Sequence, residues 1–255
     1  MTLSARQEAE FFERGWTMLP GLFSLDEMRE ARRAFERLYA TAQRPRTTQD
    51  HACGEVIVQR VVWAGGAEPV LLRIGADPRL VGPALQLLGS DRCEQLLCQA
   101  HFKMPSDGVS FGWHQDVQHR DKGPGTWLDL NGRGSYVQSI LLVDDMREDN
   151  GPLKFLPRDA VSLDGSGRLL AGPYDYGMPM DPAGMPSGLD ESRAVTVTGA
   201  AGSVLLFGPY AVHGSLPNTS EVPRRVLING YAYPGANGRV YPGTGSGRVL
   251  PLAAT

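Results

Sequence analysis

A change of pattern near Leu96 constrains the fold of this chain more than any other feature. From there on, short apolar or alternating runs are separated by Gly, Pro, Asn and Asp, which is typical of strands joined by turns. The runs are LLCQAHFKM, FGWHQDV, YVQSILLVDD, PLKFLP, AVTVTG, SVLLFG and VLINGYAY, with an earlier one in EVIVQRVVW. Many short strands of this kind favour a β-sandwich or a jelly roll.

Two glycine-containing segments inside this region are signals for chain reversal. Asp149-Asn150-Gly151 and Gly199–Gly202 each separate two predicted strands, and we expect each to form the turn of a hairpin. The stretch from Leu163 to Ser192 is rich in Gly, Pro and Met, and it is longer than a compact domain normally tolerates without a purpose. We therefore expect this stretch to be a lid over an active site.

The region before the strands carries helix signals. Three predicted helix starts have a capping box or a cap followed by proline: Ser4 with Gln7, Ser24 with Glu27, and Asp77 with Pro78. We predict one domain over residues 1–255. Helices are expected over about residues 4–90 and the strand core over about residues 94–234, and residues 235–255, rich in Gly and Pro, should be an irregular tail.

Composition excludes several classes of function. The chain is 42% hydrophobic and 21% charged with a formal net charge of −3, and its Lys and Arg residues are scattered, so we expect no nucleic-acid partner. No apolar run approaches the roughly 18 residues that span a bilayer, and the charged start is unlike a signal peptide, so a cytoplasmic protein is expected. Cys53, Cys93 and Cys98 have no CxxC spacing and should be reduced thiols.

The segment FGWHQDV places an imidazole and a carboxylate two residues apart. In an extended strand His114 and Asp116 would share a face and could bind one metal ion. An HxD pair alone is weak evidence, since a packed histidine and a turn-capping aspartate explain such a pair more often than a metal site does. A second histidine, His213, follows the apolar run SVLLFG and should lie at the exit of that strand. Two imidazoles and one carboxylate form the facial triad of non-haem Fe(II) oxygenases, which leaves coordination positions open.

A cation suited to a carboxylate lies downstream of His213. Arg224 stands at the start of the predicted strand VLINGYAY, and a guanidinium binds a carboxylate through two parallel hydrogen bonds. Its neighbour Arg225 would point to the opposite face of the strand. Ser215, two residues after His213, either adds a hydroxyl to the same carboxylate or is a turn residue.

Together these motifs resemble one family. HQD at His114–Asp116, DNGPLKFLP, HGSLPN, Arg224 and the opening FFERGWTMLPGLFS are similar to the phytanoyl-CoA dioxygenase-like superfamily of Fe(II)/2-oxoglutarate oxygenases. The resemblance extends from about Glu10 to Tyr233. Within the superfamily the chain is more similar to compact bacterial hydroxylases of ectoine or free amino acids than to the longer peroxisomal enzyme.

The resemblance implies a fold that is mainly β with flanking helices and a double-stranded β-helix (jelly-roll, cupin-like) core. It implies that His114, Asp116 and His213 are the catalytic metal ligands for Fe(II), and that 2-oxoglutarate chelates the metal before O2 binds. The far carboxylate of 2-oxoglutarate would lie on Arg224, with help from Ser215. Ascorbate is the expected reductant in vitro.

The strand LLCQAHFKM supplies a further candidate for the co-substrate site. Gln99, His101 and Lys103 alternate onto one face, where family members place co-substrate contacts, and Gln99 is the first choice among them. The alternative is that His101 and Lys103 are groups on the surface of the sheet.

The resemblance also suggests a substrate wall and a reaction. His119, Arg120 and Trp127 lie where superfamily members build that wall, although the same polar run could be an exposed loop. Related halogenases lack the carboxylate that Asp116 provides, so hydroxylation is implied: an unactivated C–H bond of an amino-acid-like molecule or natural-product intermediate would be attacked, with release of succinate and CO2.

Other activities remain open at this point. The same metal and co-substrate serve oxidative cyclases, desaturases and epimerases, and a metal-binding cupin-like protein without oxygenase activity is a further alternative. Such a protein would have no need of a carboxylate clamp such as Arg224. A small-molecule substrate, no membrane partner, and a monomer or homodimer are expected.

Overall fold

The structure, a computed structural model, describes residues 1–42, 48–50, 56–117, 127–168, 189–238 and 247–252. The described helices are α1 (Ala5–Arg14), α2 (Leu25–Thr41), α3 (Pro69–Gly75) and α4 (Pro78–Leu88), with 3-10 turns at Ala64–Gly66, Arg158–Ala160 and Glu191–Arg193. The described strands are β1 (Trp16–Leu19), β2 (Thr48–Asp50), β3 (Val56–Val58), β4 (Arg60–Val61), β5 (Arg92–Lys103), β6 (Phe111–His114), β7 (Tyr136–Leu142), β8 (Leu153–Leu156), β9 (Val195–Val197), β10 (Val204–Phe207), β11 (Val212–Ser215), β12 (Arg224–Ala232) and β13 (Arg248–Pro251).

Two antiparallel sheets form the jelly-roll core that was predicted. The large sheet has the order β1-β10-β7-β12-β5-β13, with β4 also paired to β5, and the small sheet has the order β6-β11-β8-β9. Strands β2 and β3 form a separate pair. Strands that follow one another in sequence mostly lie in different sheets or apart in one sheet, which is the double-stranded β-helix arrangement.

The helices cover the outer face of the large sheet. Both predicted capping boxes are present, and α4 begins after the Asp77 cap and ends at Gly89 in the left-handed conformation. Because strand side chains alternate between faces, Leu141 and Leu227 belong to the core under the helices, where Phe35 packs against Phe102 with ring centroids 5.3 Å apart. None of the described helices is long and apolar enough to cross a bilayer.

The inner faces of the two sheets enclose a second core. Ile140 and Phe207 of the large sheet meet Phe155 of the small sheet there. Strands β6 and β11 of the small sheet and strands β5 and β12 of the large sheet face each other across the interior of the roll. This arrangement therefore sets where a site inside the roll can lie.

Two turn predictions were wrong about strand pairing. Residues after β7 and before β8 do turn at Gly151, whose φ is +82°, but β7 and β8 belong to different sheets. The Gly199–Gly202 turn likewise leads from β9 in the small sheet to β10 in the large sheet. Glycines mark a reversal of the chain but carry no information about which strands then pair.

Two further expectations need correction. His213 does not lie at the exit of the SVLLFG strand; it lies inside β11, which begins after a turn at Gly208–Ala211 and pairs in the other sheet. The tail is not irregular throughout, because β13 pairs with Arg92–Gln95 of β5. Strand β13 was hard to predict because its exposed positions alternate with partly buried ones, so the sequence has only a weak apolar pattern there. This is typical of an edge strand.

The described cysteines behave as reduced thiols. Cys93 and Cys98 are buried and free, and burial raises the pKa of each thiol to about 12. Both are therefore protonated and unreactive near neutral pH. Cys53 lies outside the described residues.

Candidate active site

Three predicted metal ligands converge inside the roll. His114 ends β6, His213 lies directly opposite it on β11, and Asp116 follows in the turn after β6. All three side chains are buried, and one ligand atom from each lies within 4.8 Å of the others. The imidazole rings are 4.1 Å apart between centroids, and His114 Nε2 lies 4.0 Å from Asp116 Oδ1. These side chains could together hold one metal ion.

Backbone carbonyls orient both imidazoles. His114 Nδ1 lies 2.9 Å from the carbonyl oxygen of Gly112, and His213 Nδ1 lies 3.0 Å from that of Ala211. A carbonyl only accepts hydrogen bonds, so each Nδ1 carries the proton and each Nε2 keeps a lone pair. This second-layer contact is the usual way in which proteins orient a metal-binding histidine.

Aromatic rings shield one side of the triad. Phe155 stacks on His213 at 5.5 Å and 21°, and Phe207 packs against the same imidazole at 4.7 Å. These rings exclude water and hold the imidazole in place. The donor set of two neutral imidazoles and one carboxylate fits Fe(II), with positions left for other ligands.

A glycine allows the two histidine strands to approach. A Cβ at Gly214 would lie 2.8 Å from the carbonyl oxygen of Phe111 on β6, closer than real contacts permit. The spacing of His114 and His213 therefore depends on glycine, which has no side chain, at position 214.

Two side chains that flank His114 in sequence make hydrogen bonds to the two described ends of the predicted lid. Trp113 Nε1 donates a hydrogen bond to Glu191, and Gln115 Nε2 donates to the carbonyl oxygens of Gly167 and Tyr210, both at 2.9 Å. Neither Trp113 nor Gln115 was predicted as a functional residue from the sequence. Their alternation with His114 was the available signal, because a strand that points one residue inward points its neighbours outward. Residues 169–188 of the predicted lid lie outside the described residues.

Two buried basic side chains face the interior from the large sheet. Arg224 on β12 lies directly opposite Lys103 on β5, so both side chains share the inner face. Arg224 donates through Nη2 to the carbonyl oxygen of Gly151, while its buried Nε has no hydrogen-bond partner among the described residues. Burial lowers the pKa of Arg224 to about 10, so the guanidinium stays charged at neutral pH.

Lys103 is buried more deeply than a lysine on a sheet surface. It is 1% exposed, and its Nζ donates to the carbonyl oxygen of Leu216. Burial, and then the nearby Arg224 charge, lower the pKa of Lys103 well below its usual value. The site thus holds one charged guanidinium and one lysine whose charged form a nearby anionic ligand would favour.

The remaining co-substrate candidates lie on both sheets, Ser215 on β11 and Gln99 and His101 on β5. Ser215 is buried two residues after His213, and its partner across β11–β6 is Phe111. His101 Nε2 lies 3.1 Å from Gln99 Oε1, and burial lowers the pKa of His101 well below its usual value, so the imidazole is neutral. The alternative that His101 and Lys103 are surface groups was wrong, since both are buried.

Of the three substrate-wall candidates, the structure describes Trp127. It is buried and packs edge to face on Tyr136 with centroids 5.6 Å apart. His119 and Arg120 lie outside the described residues.

Comparison with known proteins identifies the family. The model of the phytanoyl-CoA dioxygenase (PhyH) family matches residues 11–226. Ectoine dioxygenase of Bordetella bronchiseptica is 30% identical over 235 residues, which cover 87% of this chain and 73% of that enzyme. L-proline trans-4-hydroxylase of Streptomyces griseoviridis is 28% identical over 232 residues, which cover 85% of this chain and 82% of that enzyme.

Crystal structures of EctD from S. alaskensis share the fold. The structure with bound Fe has a TM-score of 0.68 at 26% identity and covers 95% of this chain and 81% of that one. The structure with 2-oxoglutarate and 5-hydroxyectoine has a TM-score of 0.71 at 24% identity and covers 98% of this chain and 89% of that one. The chain therefore belongs to the phytanoyl-CoA dioxygenase family, and it is an enzyme of the Fe(II)- and 2-oxoglutarate-dependent dioxygenase class.

Proposed function

We propose that this enzyme hydroxylates an unactivated C–H bond of a small polar molecule, either amino-acid-like or a natural-product intermediate. One oxygen atom of O2 enters the substrate, and the other enters the succinate that forms with CO2 from 2-oxoglutarate. The observation that carries the proposal is the convergence of His114, Asp116 and His213 in a buried site whose opposite wall holds the basic side chains Arg224 and Lys103.

In this proposal the triad holds the metal, and the large sheet holds the co-substrate. When bound, iron and 2-oxoglutarate supply the activation of O2. Arg224 and Lys103 bind the far carboxylate of 2-oxoglutarate, and Ser215 donates its hydroxyl to the same group. The partnerless Nε of Arg224 supports this role, because within the described chain nothing else satisfies that buried donor. Gln99 is a further candidate contact through its amide.

Two features favour hydroxylation: the names of the relatives favour it over cyclisation, desaturation and epimerisation, and Asp116 favours it over halogenation. Relatives at 28–30% identity include ectoine dioxygenases and an L-proline trans-4-hydroxylase, and their names describe oxygenation of small polar molecules. The carboxylate of Asp116 is present and buried at the position where halogenases lack one. A cyclic or zwitterionic amino-acid-like molecule is therefore the first substrate class to test.

A substrate screen tests the proposal. The protein is incubated with Fe(II), ascorbate, 2-oxoglutarate and O2, together with ectoine, L-proline, other amino acids, betaines or natural-product scaffolds, and succinate is measured. We expect a substrate to raise succinate formation at least tenfold and to gain one oxygen atom in mass. A product that has instead lost two hydrogen atoms would assign a desaturase or cyclase, and a product of unchanged mass would assign an epimerase.

The matched control is Arg224→Gln, which should lose the stimulated turnover while it keeps the metal. If the wild-type protein binds iron but forms no succinate above the level of free iron with any compound, the proposed function is wrong.

A further inference from the structure

The inner wall beside the metal candidates carries a polar pair, Tyr136 and Gln138, to which the proposed function assigns no role. Gln138 of β7 lies directly opposite Phe207 of β10, so the two side chains share the inner face. Phe207 packs against His213 at 4.7 Å. Gln138 is therefore next to the shielding ring of a candidate metal ligand, and it is 6% exposed.

Tyr136 fixes the amide of Gln138. The Tyr136 hydroxyl donates to Gln138 Oε1 at 2.7 Å, and Tyr136 itself is fully buried. This bond assigns the carbonyl end of the amide to Tyr136 and directs the NH2 end, a hydrogen-bond donor, away from it.

A glycine makes room for this pair. Gly230 of β12 lies directly opposite Gln138, and a Cβ at Gly230 would lie 2.1 Å from the Tyr136 hydroxyl. Glycine inside a strand weakens the strand and is typical of a close approach by another group. Glycine at position 230 therefore weakens the strand but allows the Tyr136 phenol to lie against Gln138.

Trp127 extends the wall. It packs edge to face on Tyr136, and its buried Nε1 has no hydrogen-bond partner among the described residues. A buried N–H group without a partner is costly, and such groups in folded proteins call for an explanation. An acceptor atom of a ligand would satisfy it.

Apolar side chains surround these polar groups. Leu97 shares the inner face with Gln138 through their common neighbour Gly230, and Val117 directly follows Asp116. Both belong to the cluster that packs around Trp127 and Tyr136. A ligand here would have an apolar body next to one polar group.

We propose that Trp127 and Gln138, with Gln138 positioned by Tyr136, form the substrate-selecting wall of this enzyme. The wall binds a hydrogen-bond-accepting oxygen, a carboxylate or an amide carbonyl, on an otherwise apolar part of the substrate. This inference rests on the proposed function, because it takes the space beside the triad to be the substrate site.

Indole NMR signals test the wall directly. Protein labelled with 15N at tryptophan Nε1 is loaded with diamagnetic Zn(II) and 2-oxoglutarate, and its four tryptophans are assigned by Trp→Phe variants. The probes are cyclohexanecarboxylate, cyclohexanecarboxamide and, without an acceptor oxygen, cyclohexylmethylamine. We expect the carboxylate or the carboxamide to move the Trp127 signal downfield, as hydrogen-bond formation does, and the amine to leave it in place.

Trp63 is the matched control. It is also buried, and its Nε1 also has no partner in the described chain, but it packs in the core under the helices. Its signal should not move with any probe. Which of the two acceptor compounds binds more tightly then tells whether the wall prefers a carboxylate or an amide.

Affinities in variants test the individual residues. Trp127→Phe removes the N–H and keeps an aromatic ring, Gln138→Leu removes the amide, and Tyr136→Phe releases the amide from its fixed orientation. Each variant should lower the affinity for the acceptor probe about five- to tenfold, which is the loss expected for one hydrogen bond. The affinities for 2-oxoglutarate and for the amine should not change. Trp63→Phe should change neither.

The inference is wrong if no acceptor compound moves the Trp127 signal at millimolar concentrations, if the amine moves it equally, or if Trp127→Phe and Gln138→Leu bind the acceptor like wild type in folded protein. These outcomes in an enzyme that consumes 2-oxoglutarate leave the proposed function intact. Failure of 2-oxoglutarate turnover in wild type would instead reject the proposed function.

Discussion

Two neighbouring arginines show how one residue step decides a role. Arg225 lies on the outer side of β12 and binds Asp144 through Nε and Nη2, at 2.7 and 2.9 Å. Arg224 points inward, where it is 3% exposed and faces Lys103. The sequence predicted this division from strand alternation alone. Of two adjacent arginines, Arg225 thus forms a structural ion pair and Arg224 is a candidate contact for a ligand.

Replacing Arg224 should affect co-substrate binding specifically. Arg224→Gln removes charge-assisted hydrogen bonds to the far carboxylate, so we expect 2-oxoglutarate affinity to fall by about 1.5–3 kcal/mol, roughly 10- to 150-fold. Metal affinity should be unchanged. Calorimetric titration of the metal-loaded protein measures both.

Arg225→Gln is the control for this prediction. It breaks the contact with Asp144, so it should lower the free energy of unfolding without changing 2-oxoglutarate affinity. Equal loss of 2-oxoglutarate affinity in the two variants would contradict the assignment of the clamp to Arg224.

The burial of Lys103 could not be read from the sequence. A lysine in an alternating strand is usually on the solvent face, and fully buried lysines are rare. The sequence therefore ranked Gln99 above it, although Lys103 lies directly opposite Arg224. Strand pairing, which a single sequence does not specify, brings the two basic side chains together.

The lowered pKa of Lys103 predicts proton uptake on co-substrate binding. In the ligand-free protein burial disfavours the charged ammonium, and a carboxylate next to it would favour that form and raise the pKa again. The complex should then bind more protons than the free protein. Affinity for 2-oxoglutarate should fall as pH rises between the lowered pKa of the free protein and the higher pKa of the complex.

Titrations in buffers of different ionisation enthalpy measure this proton uptake. Lys103→Met should abolish the uptake and flatten the pH dependence. Uptake that persists in Lys103→Met would assign the proton to another group.

At the scale of strands and turns, local signals predicted most elements but not their partners. The capping boxes at Ser4 and Ser24 and the Asp77 cap are local hydrogen-bonding patterns, and all three helices begin there. The turn glycines at Gly151 and Gly202 were also correctly located, with φ near +80° to +90°. Pairing depends on contacts between distant residues, so the hairpins predicted from these turns were wrong.

The close pairing of β6 and β11 is a property of elements that a single substitution can test. Gly214→Ala adds a Cβ that would meet the backbone of Phe111 at 2.8 Å, so the strands must separate. We expect a loss of about 1–3 kcal/mol in the free energy of unfolding, together with weaker metal binding because His114 and His213 move apart.

Gly165→Ala is the comparison for that test. Among the described residues no atom lies within 4 Å of a Cβ at this position, so stability and metal affinity should stay near wild type. Thermal unfolding and a Co(II) titration measure the two effects. Unchanged metal affinity in a destabilised Gly214→Ala protein would show that the spacing of the two strands does not control the site.

At the scale of the whole molecule, the roll brings together residues that lie far apart in sequence. His114 and His213 meet because β6 and β11 pair, and Arg224 reaches the same interior from the opposite sheet. The family resemblance predicted that these residues act together, because it rests on the combination of their motifs. The Tyr136–Gln138 pair and the role of Gly230 had no such motif, so they could only be found from the fold.

The central claim is that the three buried ligands and the arginine–lysine wall bind Fe(II) and 2-oxoglutarate in one site. The most direct measurement is the visible spectrum of the protein with Fe(II) under anaerobic conditions while 2-oxoglutarate is added. We predict a weak charge-transfer band that saturates with 2-oxoglutarate, that is absent in His213→Ala, and that needs more 2-oxoglutarate in Arg224→Gln. A folded, iron-loaded wild-type protein that shows no such band would contradict the account.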